Sequence, residues 1–237
     1  MGVLYQDHVY INDAISIRVP SVGDVIDDED NFFAAVTSVI STPYDMMVQL
    51  DDAGIDFTEI NNFGLFCMMI NNLRDGSGSI LFGDLDFSKF EMAYNKKTNE
   101  VVLLDEENGL VIDRAVHEQM AVAVRKILQI KKNVKKPGNE EGKKYMIKIA
   151  RMNQKRQRRL AKDKETTQLE DIIISLVNNR EFPYNYETVR DISITQLYLS
   201  LNQVGHKINY DNIMRGYYAG TIKLEDIKHD ERTWLRS

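Results

Sequence analysis

One stretch, GKKYMIKIARMNQKRQRRLAKDK at residues 142–164, constrains this chain more than any other. It is rich in strong helix formers and poor in breakers, so it is expected to be helical. Its apolar residues are Tyr145, Met146, Ile147, Ile149, Ala150 and Met152, with only Leu160 and Ala161 later. The part from Gln154 to Lys164 therefore has little to bury and is expected to project into solvent. A core cannot run through such a segment, so folded bodies must lie on either side of it. The preceding KKPGNEEGKK, with Pro137, Gly138 and Gly142, reads as a hinge. The expected organisation is an acidic α+β domain over 1–132, a hinge and basic helix over 133–165, and a helical C-terminal region over 166–237.

The charge distribution follows the same division. Residues 1–113 carry 5 basic and 21 acidic side chains, a net of −16, whereas residues 131–164 carry 14 basic and 3 acidic ones, a net of +11. Such asymmetry calls for a polyanion, an oppositely charged partner, or a contact between the two blocks. The chain's 43% hydrophobic content across 237 residues is enough for a real core. A single cysteine, Cys67 in LFCMMI, excludes a disulfide framework within one chain. A lone thiol in an apolar run is expected to be packing. No segment approaches the roughly 18 continuous apolar residues of a membrane helix. MGVLYQDHVY lacks the basic start and apolar stretch of a secretory signal, and Gln6 spoils a myristoylation motif.

The chain opens as a β-hairpin: HVYIN and ISIRV alternate around the turn residues NDA. GDVIDDEDNFFAAVTSVIST then has helical spacing, with Asp24 or Asp28 as the cap. PYDMMVQLDDAG gives a second helix ended by Gly54, and TEINNFGLFCMMINNL a third with Thr58 as cap. SILFGDLDF reads as a short strand. FEMAYNKKTNEVVLLDEENGLVID reads as two or three strands with turns at NKKTN and DEENG. Asp113 is placed to cap a strongly amphipathic helix through Leu128. Beyond the basic segment, Thr167 and Glu170 have the spacing of a capping box. FPYNYETVRDI suggests a turn or short strand. A long helix runs from a Ser193 cap to a Gly220 stop, with Gly205 a point of bending. Trp234 is expected to dock on the core or on a partner. The fold class is thus α+β.

No catalytic signature appears. His8, His117, His206 and His229 are scattered without metal-ligand spacing, and His117, four residues after Asp113, reads as a solvated helix residue. There is no phosphate loop, nucleophile elbow or dinucleotide fingerprint. Asp84 and Asp86, with Glu91 and Glu100, are the best carboxylates for a hydrated Mg²⁺ site of the nuclease kind, but in so acidic a domain solvated carboxylates are the default. The reading is of a protein that is not an enzyme and needs neither cofactor nor metal.

The basic segment admits three readings: a solvated helix, a phosphate contact with steep salt dependence, or docking on an acidic protein surface. No aromatic residue interrupts Gln154–Lys164, so base stacking has no platform there. ETVRDISITQLYLSLNQVGHKINYDNI has helix–turn–helix spacing, yet its second helix shows Tyr, Leu and Ser more than base-reading side chains.

Four phrases, ISIRVPSVGDVIDDEDNFF, TPYDMMVQLDDAGIDFTEINNFGLF, ILFGDLDFSKFE and INYDNIMRGYYAGTIKLEDI, resemble proteins of tailed phages of Gram-positive hosts, from among their virion and tail morphogenesis genes. YDMMVQLDDAGIDFTEINNFGLFCMMINNL is similar in style to phage tail assembly chaperones. The resemblance implies an assembly chaperone, or a minor tail or virion component such as a connector or baseplate part, acting by protein contacts. The implied partner is a tail protein such as the tape-measure protein, and the implied location is the host cytoplasm or the virion. Methionine-rich paired helices make an adaptable apolar surface. The expected partner-binding residues are therefore Met46, Met47, Leu50, Phe63, Phe66 and Met69 on helices 44–53 and 58–72. Lys155, Arg156, Arg158, Arg159 and Lys162 are the expected electrostatic docking element. A second copy of the chain is a further partner class, nucleic acid through the basic helix is the alternative function, and a membrane is not expected.

Overall fold

The computed structural model describes residues 2–96, 98–132, 137–162, 164 and 166–235. Residues 133–136 at the start of the expected hinge, Lys97 in the NKKTN turn, and Asp163 and Glu165 at the end of the basic segment lie outside the described residues. Among the described residues the fold is α+β, with two small antiparallel sheets, and the chain forms two compact units: Met1–Pro20 with Asp24–Glu165, and Ser21–Gly23 with Thr166–Ser237.

The first unit opens with the hairpin β1 (His8–Tyr10) and β2 (Ser16–Arg18), Val9 facing Ile17. Asn12 shapes its turn, its Oδ1 accepting from the amides of Ala14 and Ile15 at 3.0 and 2.8 Å. The expected first helix is two helices, α1 (Val22–Asp27) and α2 (Glu29–Ile40). Asp28 stands between them, and its carboxylate takes the Asn31 side chain at 2.8 Å instead of a helix amide. The Thr42–Asp45 turn precedes α3 (Met47–Asp52), which stops before Gly54 at φ +71°. The third helix, α4 (Asn62–Met69), is capped by Asn61, not by Thr58. Thr58 is engaged elsewhere: Asp56 Oδ1 accepts from both its amide and its hydroxyl, at 2.8 and 2.7 Å.

The expected strand at SILFGDLDF is α5 (Ser79–Phe82) followed by a 3-10 turn over Phe87–Lys89. Ile80, Leu81 and Phe82 are all buried in sequence, which a one-faced strand does not allow. Gly83 at φ +60° ends the helix, and Asp86 caps the turn through the Ser88 amide at 2.9 Å. A three-stranded meander follows: β3 (Glu91–Asn95), β4 (Glu100–Asp105) and β5 (Leu110–Ile112), in that order across the sheet. Ala93 faces Val102, and Leu103 faces Ile112. Then comes α6 (Arg114–Ile127), whose N-terminus Asp113 caps by accepting from Val116 at 2.9 Å. It packs on α2, β2 and β5, with its stripe of Met120, Val124 and Ile127 buried, as are Phe32, Val36 and Val39 of α2. The unit closes with α7 (Glu140–Lys162), which has no fully buried residue and packs on α3.

The second unit holds α8 (Gln168–Val177) and α9 (Ile194–Tyr218). The expected capping box of Thr167 with Glu170 opens α8, and the expected Ser193 cap of α9 is also a capping box, with Gln196 as its partner. Residues 182–192 supply the 3-10 turn Thr188–Asp191 and no strand. Leu169, Ile173, Leu176, Val189, Leu197 and Ile227 make the core of this unit. Ser21 pairs with Ser193, and the Val22 amide donates to the Ile192 carbonyl at 2.8 Å. Gly205 does not interrupt α9, and Gly220 at φ +72° lies just past its end. Trp234 is half exposed, outside the core, with its carbonyl accepting from Gln203 Nε2 at 2.8 Å.

Candidate interaction surfaces

The helices expected to face a partner are partly used inside their own unit. Leu50, Phe57 and Leu65 form a small buried cluster, and Met46, Met47, Met69 and Ile147 pack around it, half buried. Phe63 and Phe66 are buried against α6, where the His117 ring lies 5.8 and 4.5 Å from theirs. Of the six residues assigned to that surface, Leu50, Phe63 and Phe66 are thus interior, while Met46, Met47 and Met69 lie at the seam that α7 covers.

The first half of α7 is held on this seam by charge as well as by Ile147. Lys143 pairs with Asp56, and Arg151 Nη2 reaches Asp51 and Asp52 at 2.7 and 2.6 Å. The Lys143 ammonium, with Thr58, holds the Asp56 carboxyl down at about 2. The Lys143 ammonium also stands 5.8 Å over the Phe57 ring. Among the described residues the basic block and the acidic half therefore meet within one unit, at Lys143 and at Arg151. The five docking residues expected beyond them, Lys155, Arg156, Arg158, Arg159 and Lys162, are all exposed.

His117 is not solvated. It is 2% exposed, stacks on Phe66, and hydrogen-bonds the Val39 carbonyl through Nε2 at 3.0 Å. Burial pushes its pKa down to about 4, so the ring is a neutral Nε2–H donor at neutral pH. The correction has a geometric cause: His117 shares the inward face of α6 with Met120, Val124 and Ile127, which follow it at about one, two and three turns. Arg125 is similarly drawn in and donates to the Ile40 carbonyl, so α6 ties down the C-terminal end of α2 at two carbonyls.

The carboxylates weighed for a metal do not assemble into a centre. Asp86 is committed to Ser88, and Asp105 is buried and holds the Asn108 side chain at 2.7 Å. Asp84, Asp86 and Asp105 do line a cleft of about 750 Å³, but His8, Arg18 and Lys89 share it. Among the described residues no group of three His, Cys, Asp or Glu side chains could hold a metal ion. No helix among them is long and apolar enough to cross a membrane.

A surface not read from the sequence lies on the other flank of α4. A groove of about 360 Å³ runs between α4 and the sheet, lined by Phe63, Cys67, Met68, Met92 and Val101, with Asn61, Glu100 and Arg114 at its polar rim. Met68 and Met92 are 49% and 70% exposed. The exposed methionine of α4 is thus Met68, and not its neighbour Met69. One residue along a helix is a rotation of about 100°, which carries a side chain from the seam to the groove. Cys67 forms part of the wall, and burial pushes its thiol up to about 11, so it contributes packing and not nucleophilicity.

Residues 161–237 match the family model of the YomV second domain. No curated protein and no solved structure matches the chain. The C-terminal third of this chain, the part with α8 and α9, is thus similar to a phage-associated domain.

Proposed function

We propose that this chain is a phage morphogenesis protein, a tail assembly chaperone or a minor tail or virion component, that works in the host cytoplasm or the virion through contacts with other tail polypeptides. The observation that carries the reading is the methionine groove beside α4. Its wall is apolar and adaptable, its rim is polar, and it stays open in the isolated chain. Those are the features of a groove that takes an apolar segment of a partner. A long helical tail protein of the tape-measure kind supplies such segments. The strongly shifted titratable groups support action by contact over catalysis. Asp56 is neutralised in an ion pair, Cys67 is deactivated by burial, and His117 is enclosed by Phe63 and Phe66.

Co-expression with the tape-measure protein of the same phage tests the proposal. Met68→Glu with Met92→Glu should abolish co-purification. Both side chains are exposed, so thermal stability should change by no more than about 0.5 kcal/mol. Undiminished co-purification of the double variant would remove the groove from the mechanism.

A further inference from the structure

The outward side of α7 carries a regular pattern that nothing in its own unit uses. Lys148, Lys155 and Lys162 recur every seven residues and are exposed. Beside them, at the alternating four- and three-residue spacing of a coiled-coil seam, stand Tyr145, Ile149 and Met152, which are 65%, 36% and 58% exposed. The seam continues through Arg156 and Arg159, so the two positions that follow its apolar part are cationic. At 3.6 residues per turn this face lies more than a quarter turn from the Lys143 and Ile147 stripe that docks on α3, so docking leaves it free. Among the described residues, none of Lys148, Lys155, Arg156, Arg159 and Lys162 has a carboxylate within ion-pair distance.

We propose that this face of α7 binds an amphipathic helix of a partner protein, apolar at three consecutive seam positions, flanked by glutamate or aspartate, and acidic at the two seam positions that follow. Two features meet in that occupant. The exposed Tyr145, Ile149 and Met152 need an apolar counterpart, and the lysines at heptad spacing need carboxylates along its flank. A phosphate backbone would satisfy the cations and leave the apolar seam in water. A second α7 would set the Arg156 and Arg159 ends against their like in a parallel pair. The contact area would be about 30 Å long, the length of some 20 helical residues. The proposal rests on the reading that the chain works through protein contacts, and it uses a different face from the α4 groove.

The probe is a fluorescein-labelled peptide of 21 residues. It has leucine at its three apolar seam positions, with glutamate at the flanking positions and at the two seam positions that follow. A sister peptide carries lysine for each glutamate. Fluorescence anisotropy with the full chain should show the acidic peptide bound on the order of tenfold or more tighter than the sister, since three to five flanking pairs each contribute a fraction of a kcal/mol. The variant Lys148→Glu with Lys155→Glu and Lys162→Glu should reverse that preference. Tyr145→Ser with Met152→Ser should weaken the acidic peptide without changing the preference, and circular dichroism should show both variants folded. Equal binding of the two peptides, or binding indifferent to the seam variant, overturns the proposal. So does a mixed-sequence DNA duplex that outcompetes the acidic peptide for the same lysines. The Met68 and Met92 variant should bind the peptide like the parent, so failure here and failure at the groove are separate results.

Discussion

At the scale of single residues, His117 has the most consequential surroundings. It is a titratable ring enclosed between Phe63, Phe66 and the Val39 carbonyl, on a helix that also brings up Glu118 and Arg125. Burial lowers its pKa from 6.5 to about 4, so the unfolded chain takes up the proton first as pH falls. Its contribution to stability is complete above the unfolded pKa of 6.5 and is lost as pH drops towards 4. The loss is on the order of 3 kcal/mol over that window. Urea denaturation from pH 7 to 4 should show the parent losing that amount more than His117→Gln, which keeps a donor for Val39 but does not titrate. Parallel curves for the two proteins would mean the ring is not held neutral. This residue was not legible in the sequence, because its partner Val39 lies 78 positions away. Asp113, four residues earlier, was legible, because it caps an amide only three positions on.

At the scale of elements, the same distinction separates what local chemistry announces from what packing decides. The capping boxes at Thr167 and Ser193 are written within four residues each, and both form. Thr167→Ala and Ser193→Ala should each cost about 1 kcal/mol, measured as a shift in the chemical denaturation midpoint. The strand expected at residues 79–87 failed because a short continuous apolar run has no period to separate helix from strand. The hold of α7 on α3 was hidden differently, since Lys143, Ile147 and Arg151 look like part of a solvated basic helix until Asp51, Asp52, Asp56 and Leu50 are placed beside them. The spacing of the methionines was legible, but not which of two adjacent methionines faces outward. The forces holding α7 can be ranked. The Arg151 pairs are exposed to solvent, where screening leaves such pairs worth little. Half-buried Ile147 loses about 1–2 kcal/mol on truncation, toward the low end of a core cavity. Hydrogen exchange across residues 140–151 should therefore speed up more in Ile147→Ala than in Arg151→Met. The reverse order would make the ion pairs the principal fastening.

At the scale of the whole molecule, the chain combines surplus acid in its first 113 residues with a concentrated basic helix, and nets only −6. The internal pairs at Lys143 and Arg151 neutralise a small part of each block, and the cations beyond them stay exposed. A molecule so divided attracts its own kind electrostatically once net repulsion fades. The isoelectric point is near 5.3, where net charge vanishes while the basic helix keeps its full charge and most carboxylates keep theirs. Light scattering at low ionic strength should therefore peak near that pH. Because the attraction is between exposed blocks of opposite sign, about 0.3 M NaCl should dissolve the associated material, the screening length falling well below the size of either block. Charge neutralisation alone would expose no such salt-reversible attraction, since apolar association strengthens or is indifferent as salt rises. The variant Lys155→Gln with Arg159→Gln and Lys162→Gln should reduce the peak at a pH adjusted to its own isoelectric point. Scattering that persists undiminished in salt, or in that variant, would place the self-attraction on the apolar groove and not on the basic helix.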